Sequence, residues 1–153
     1  MITNISITAI MKQLSQLREQ LKIFGIRDTG GYAEVLVAKA IGAVRNRSGV
    51  EKGYDLVCSK LGRVEVRSRT LPLDGSKETR LEIPEAKANG FDVFAGVLFA
   101  ADMTVLGGFL LPHNEAISLA KNQKFRRIPF EIGAAHPNST DITAQLRQAQ
   151  ESI

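Results

Sequence analysis

The stretch Arg63-Val64-Glu65-Val66-Arg67-Ser68-Arg69 constrains this chain more than any other. Apolar and charged residues alternate strictly, which is the period of a β-strand, whose successive side chains point to opposite faces. Val64 and Val66 share one face, and Arg63, Glu65, Arg67 and Arg69 share the other. A central strand rarely carries four charges on one face unless that face meets water or other charged groups. Just upstream, Tyr54–Cys58 reads as a short strand and Lys60-Leu61-Gly62 as a turn, so the two strands form an antiparallel hairpin. With the turn at Leu61 and Gly62, Asp55 and Glu65 stand close together, with a stagger of one or two residues.

Around this hairpin the rest reads as mixed α and β. Ile7, Ile10, Leu14, Leu17, Leu21 and Phe24 step by 3, 4, 3, 4 and 3 residues. This predicts a helix over 4–24 with a coiled-coil-like seam, packed on its own core or used to dimerise or bind a partner. A second helix is expected from Thr29 or Gly30 to about Ala43, capped by Asp28 or Thr29, with Tyr32, Val35, Leu36, Ala40 and Ile41 inward. Short strands are expected at Leu81–Ile83 and Ile128–Ile132, the latter at an edge because of Pro129. Pro84–Asn89 reads as a short helix or turn. The apolar run Val93–Ala100 predicts a buried strand, followed by another at Val105–Leu111. Helices are expected at 113–122 and at 141–150, the last capped by Ser139 or Thr140.

A chain of 153 residues with 44% apolar content is long and apolar enough for one cored domain and too apolar for a disordered one. No apolar run approaches a membrane span, and Met1–Gln13 lacks the pattern of a secretory signal. The single cysteine, Cys58, excludes an intrachain disulfide framework and a Cys-rich zinc site; a buried strand residue in a reducing, cytoplasmic setting is expected. Net charge is +4, but residues 39–80 hold ten basic and five acidic side chains, so the positive charge is concentrated there. Such clustering points to a polyanion or to a solvated charged surface. His113 and His136 have no ligand spacing.

Three acids stand out: Glu34 in the second helix, and Asp55 and Glu65 on the paired strands. Two neighbouring carboxylates repel unless a cation sits between them, and a hard divalent ion takes such oxygen ligands. An ion pair between Glu65 and Arg67 is the plainer alternative.

Glu34, Gly53-Tyr54-Asp55-Leu56 and Val64-Glu65-Val66-Arg67-Ser68-Arg69, in this order, resemble the PD-(D/E)XK (restriction-endonuclease-like) nuclease superfamily. The chain looks like a small bacterial branch of it, also through Gly31-Tyr32-Ala33-Glu34, Phe91-Asp92 and Asp141-Ile142-Thr143. The resemblance implies an α/β domain over 26–153 with a central mixed sheet flanked by helices and an αβββαβ core; it leaves residues 1–25 as an added helix, for which the seam suggests a homodimer or protein partner. It implies a Mg²⁺- or Mn²⁺-dependent endonuclease, with Asp55 and Glu65 holding the metal and Glu34 as a direct or outer ligand. DNA is the implied partner, with Arg45, Arg47, Lys52, Ser68 and Arg69 as candidate phosphate contacts. Most of these nucleases carry lysine where this chain has Arg67. Arginine grips phosphate but cannot give up its proton at ordinary pH. A non-catalytic DNA-binding or complex-forming module on the same fold is therefore the alternative.

Overall fold

The computed structural model describes residues 6–46, 54–84, 87–121 and 126–153. Arg47 and Lys52, expected at phosphates, lie outside the described residues.

Helix α1 (Ile7–Ile23) starts where the Ser6 hydroxyl accepts the Ala9 N–H at 3.0 Å. None of its residues is buried. The reading in which this helix packs on its own core is therefore wrong: the seam faces outward, with Ile7 82% and Phe24 62% exposed. Helix α2 (Thr29–Ile41) begins as expected, the Asp28 carboxylate accepting the Gly31 N–H at 2.9 Å. It ends at Gly42, whose φ of 70° suits a residue without Cβ. Its buried face is Gly31, Ala33, Leu36 and Val37; of the residues expected inward, Leu36 is fully buried and Tyr32, Ala40 and Ile41 pack partly buried against the core, while Val37 takes the buried place expected for Val35.

The main sheet has six strands in the order β1 (Val44–Arg45), β2 (Leu56–Cys58), β3 (Gly62–Thr70), β5 (Val93–Phe99), β6 (Val105–Pro112) and β8 (Thr140–Asp141). Neighbours are antiparallel except β3 and β5, which run parallel, so the sheet is mixed. The fold class expected from the sequence is present: a mixed α/β sheet with flanking helices. The expected third strand is not part of it. Strand β4 (Arg80–Glu82) leaves the main sheet and pairs with β7 (Arg127–Pro129) in a separate two-stranded sheet. The place beside β3 is taken by β5, whose longer apolar run buries more surface than three residues could. The strand at Ile128–Ile132 is likewise shorter than expected, because the chain turns after Pro129 into helix α4 (Phe130–Ala135). Thr140 and Asp141 pair with Leu110 and Phe109, so the last helix, α5 (Thr143–Ser152), starts later than its expected caps; the Asp141 carboxylate instead accepts the Thr143 N–H at 2.8 Å.

The sheet has a core on each side. On one side Leu56, Val64, Val66, Val97 and Phe99 pack with Leu36 and Val37 of α2 and Leu146 of α5. On the other, Phe94, Phe109 and Leu111 pack with Leu81, Ile83, Ile128 and Ala116, the last in helix α3 (His113–Lys121). The charged face of β3 is exposed at Arg63 but covered at Glu65. It points toward the layer that carries β4 and the turn at 87–90. Cys58 is buried as expected.

Candidate functional site

Leu56 pairs with Val64 and Cys58 with Gly62, which continues to place Asp55 opposite Glu65 with no stagger. The Asp55 N–H donates to the Val64 carbonyl at 2.8 Å, and its carboxylate Oδ2 accepts the Val66 N–H at 2.9 Å. Asp55 thus closes the end of the hairpin with its side chain, and this fixes where its carboxylate points. Glu65 is fully buried. Its register neighbour on β5 is Phe94, deep in the second core.

Two cations meet this acid. Arg67, two residues along the same face, places Nη2 3.0 Å from Glu65 Oε2. Lys87 places Nζ 3.5 Å from the same oxygen and 3.9 Å from Asp55 Oδ1. Glu65 Oε1 is buried and accepts no hydrogen bond from any of these donors. Burial, a hydrogen bond shared with the Asp55 carboxyl and Asp55's negative charge push Glu65 up to about 8, against the pull of Arg67 and Lys87. A proton or a metal ion held between the two acids would satisfy the orphan oxygen equally well.

Lys87 was not singled out from the sequence. It sits in a turn in which its N–H donates to the Pro84 carbonyl and its carbonyl accepts the Gly90 N–H. His113 anchors that turn: its ring Nε2 lies 2.5 Å from the Ala88 carbonyl, and it meets the Phe91 ring edge-on. His113, which has no ligand spacing in the sequence, thus braces the turn that carries Lys87. Spacing alone could not reveal this, because Lys87 reaches β3 through a connection of more than ten residues.

Asp55, Glu34, Arg67, Ser68, Arg69 and Lys87 line one cleft of about 570 Å³, together with the start of α2. Glu34 does not converge with the other two acids as a third ligand. Its Oε1 accepts from Arg45 Nε at 3.0 Å, and burial followed by the nearby Asp55 charge holds its carboxyl above the ordinary range. Among the described residues, no three His, Cys, Asp or Glu side chains gather as a metal site. Arg45 is committed to Glu34 and, at 3.5 Å, to the Phe24 carbonyl, which leaves little of it for a phosphate. Arg69 makes a longer pair with Glu78 at 3.6 Å. Arg67 Nε, Arg69 Nε and Thr70 Oγ1 are buried donors without partners, and all three residues line the cleft. Asp92, outside the cleft, braces the β3 start through Arg63, accepting its N–H at 2.8 Å and its Nε at 3.1 Å.

The fold and cleft define an α/β protein with a carboxylate pair bordered by basic side chains. No protein-family model and no curated protein matches the chain. No helix among the described residues is long and apolar enough to cross a membrane.

Proposed function

We propose that the chain is a Mg²⁺- or Mn²⁺-dependent endonuclease that hydrolyses DNA phosphodiesters, with Asp55 and Glu65 as the metal-holding pair. The observation that carries this reading is the meeting of Asp55, Glu65 and Lys87 at one end of the hairpin. It supplies, from a different part of the chain, the lysine that position 67 lacks.

The residues fit a divalent ion by their donor set. Two opposed carboxylates, one with an orphaned buried oxygen, offer two or more oxygens, and Mg²⁺ ordinarily completes its shell with water and substrate phosphate. When bound, such an ion acidifies a water and offsets charge on the reacting phosphate. Arg67 and Arg69 line the cleft, and guanidinium groups suit phosphate oxygens. Lys87, at the carboxylates, can exchange a proton where arginine cannot. Glu34, held by Arg45 near Asp55, serves as an outer residue rather than a ligand.

A second reading has its own support. Arg67 and Lys87 already stand against Glu65, and Arg45 pairs with Glu34, so cationic side chains occupy the places beside these acids without a metal. That favours a DNA-binding module with no cleavage.

Nicking of supercoiled plasmid in Mg²⁺ or Mn²⁺ separates the two. The endonuclease reading expects metal-dependent nicking that falls at least about 100-fold in Asp55→Ala and Glu65→Ala. Folded variants that nick as the parent does would overturn it. Salt-sensitive DNA binding with no nicking in either metal would establish the module.

A further inference from the structure

We propose that α1 is a self-association helix whose partner is the α1 of a second copy of this chain, paired antiparallel. The observations lie outside the cleft and do not depend on what it does. Every seam residue of α1 is exposed in the single chain, from Leu14 at 36% to Ile7 at 82%. Together these six side chains leave roughly 700 Å² of mostly apolar surface open, more than an isolated domain usually tolerates in one patch. Two such faces in contact bury roughly 1,400 Å² in total, within the range of stable specific interfaces.

The seam's spacing names the occupant. The steps 3, 4, 3, 4, 3 read the same in both directions. A dyad midway between Leu14 and Leu17 therefore lays Ile7 on Phe24, Ile10 on Leu21 and Leu14 on Leu17 of the second copy, with every layer filled. The flanking residues permit this pairing. Met11 comes beside Arg18 of the second copy, whose aliphatic stem can cover it, and Gln13 comes beside Gln20. Lys12, Glu19 and Lys22 lie off the seam, and Glu19 and Lys22 already pair with each other at 2.8 Å. No like charges oppose each other. The antiparallel arrangement also sends the two domains, each joined after Phe24, to opposite ends of a rod about 26 Å long.

Sedimentation equilibrium of the full chain between 1 and 200 µM tests this. The expected result is a monomer–dimer equilibrium that Leu14→Glu/Leu17→Glu abolishes and Lys12→Gln, on the outer face, leaves intact. Because α1 buries no residue, the double variant should retain the parent's thermal unfolding of the domain. Direction is read by cross-linking: an Ile10→Cys chain mixed with a Leu21→Cys chain forms the mixed disulfide, while Ile10→Cys alone does not link to itself. A parent that is monomeric throughout, a dimer that survives the double substitution, loss of the dimer in Lys12→Gln, or self-linking of Ile10→Cys would each overturn the proposal.

Discussion

Replacing Glu65 by glutamine tests the central electrostatic argument. In the folded chain this acid holds its proton up to about 8, against 4.5 for an ordinary glutamate. Between those values the folded state keeps a proton that the unfolded chain has released. The associated stability is fully present below about pH 4.5, declines as pH rises, and is gone above about pH 8. Three to four pH units at about 1.4 kcal/mol each put the change on the order of 4 kcal/mol. Glutamine has nearly the shape of the protonated acid and does not titrate, so Glu65→Gln loses this slope. The assay is urea unfolding followed by circular dichroism from pH 5 to 8.5, since the chain has no tryptophan. The variant's stability relative to the parent should rise by a few kcal/mol across that range. Exposed acids with lowered values, such as Glu78 and Asp92, are ionised throughout it and cancel in the comparison. Parallel profiles for parent and variant would refute the argument, because Glu65 would then be ionised in its pocket and fully compensated by Arg67 and Lys87.

Lys87→Ala should reduce plasmid nicking by about 100-fold or more, whereas Arg67→Lys should stay within about tenfold of the parent, as measured by initial rates. The opposite order would return the lysine role to position 67. Gly108→Ala should cost about 1–3 kcal/mol in urea unfolding, because its Cβ would run into Leu146 Cδ1 with the Gly96 carbonyl also close. Gly62→Ala should cost about 1–2 kcal/mol by the same assay: its φ is +84°, and a Cβ would lie 2.5 Å from Asp92 Oδ2.

The part of the site made by neighbours in sequence was legible there. The alternation through Arg63–Arg69 and the glycine at 62 define a hairpin, and a hairpin brings Asp55 to Glu65; only the stagger differed. Glu65's burial was not legible, because the cover comes from the layer beyond Thr70, and alternation describes a strand's faces without saying what lies against them. Lys87 escaped for the same reason. Leu81–Ile83 reads as a strand from its own residues, but its pairing with Ile128 is set by tertiary packing, so the sequence pattern does not say which sheet it joins. At Thr140 and Asp141 the capping preference was real but lost to pairing with β6. The α1 seam was legible as a pattern and ambiguous as to use; only its exposure in the folded chain removed one of the two uses.

The separate placement of β4 also bears on how quickly the molecule assembles. The hairpins β2–β3 and β5–β6 close short loops, while β3 meets β5 across about 30 residues and β4 meets β7 across about 45. Contacts of such sequence separation slow folding, and local ones form first. Contact order therefore predicts that Asp55 and Glu65 are opposed early and that the lysine arrives when the segment between β3 and β5 docks. Lys87→Ala should then leave the refolding rate unchanged in stopped-flow measurements and act on unfolding alone. On that order, the two facing acids lack their ammonium until the turn at 87–90 docks, so the last contacts to form are the ones that complete the charge pattern of the cleft.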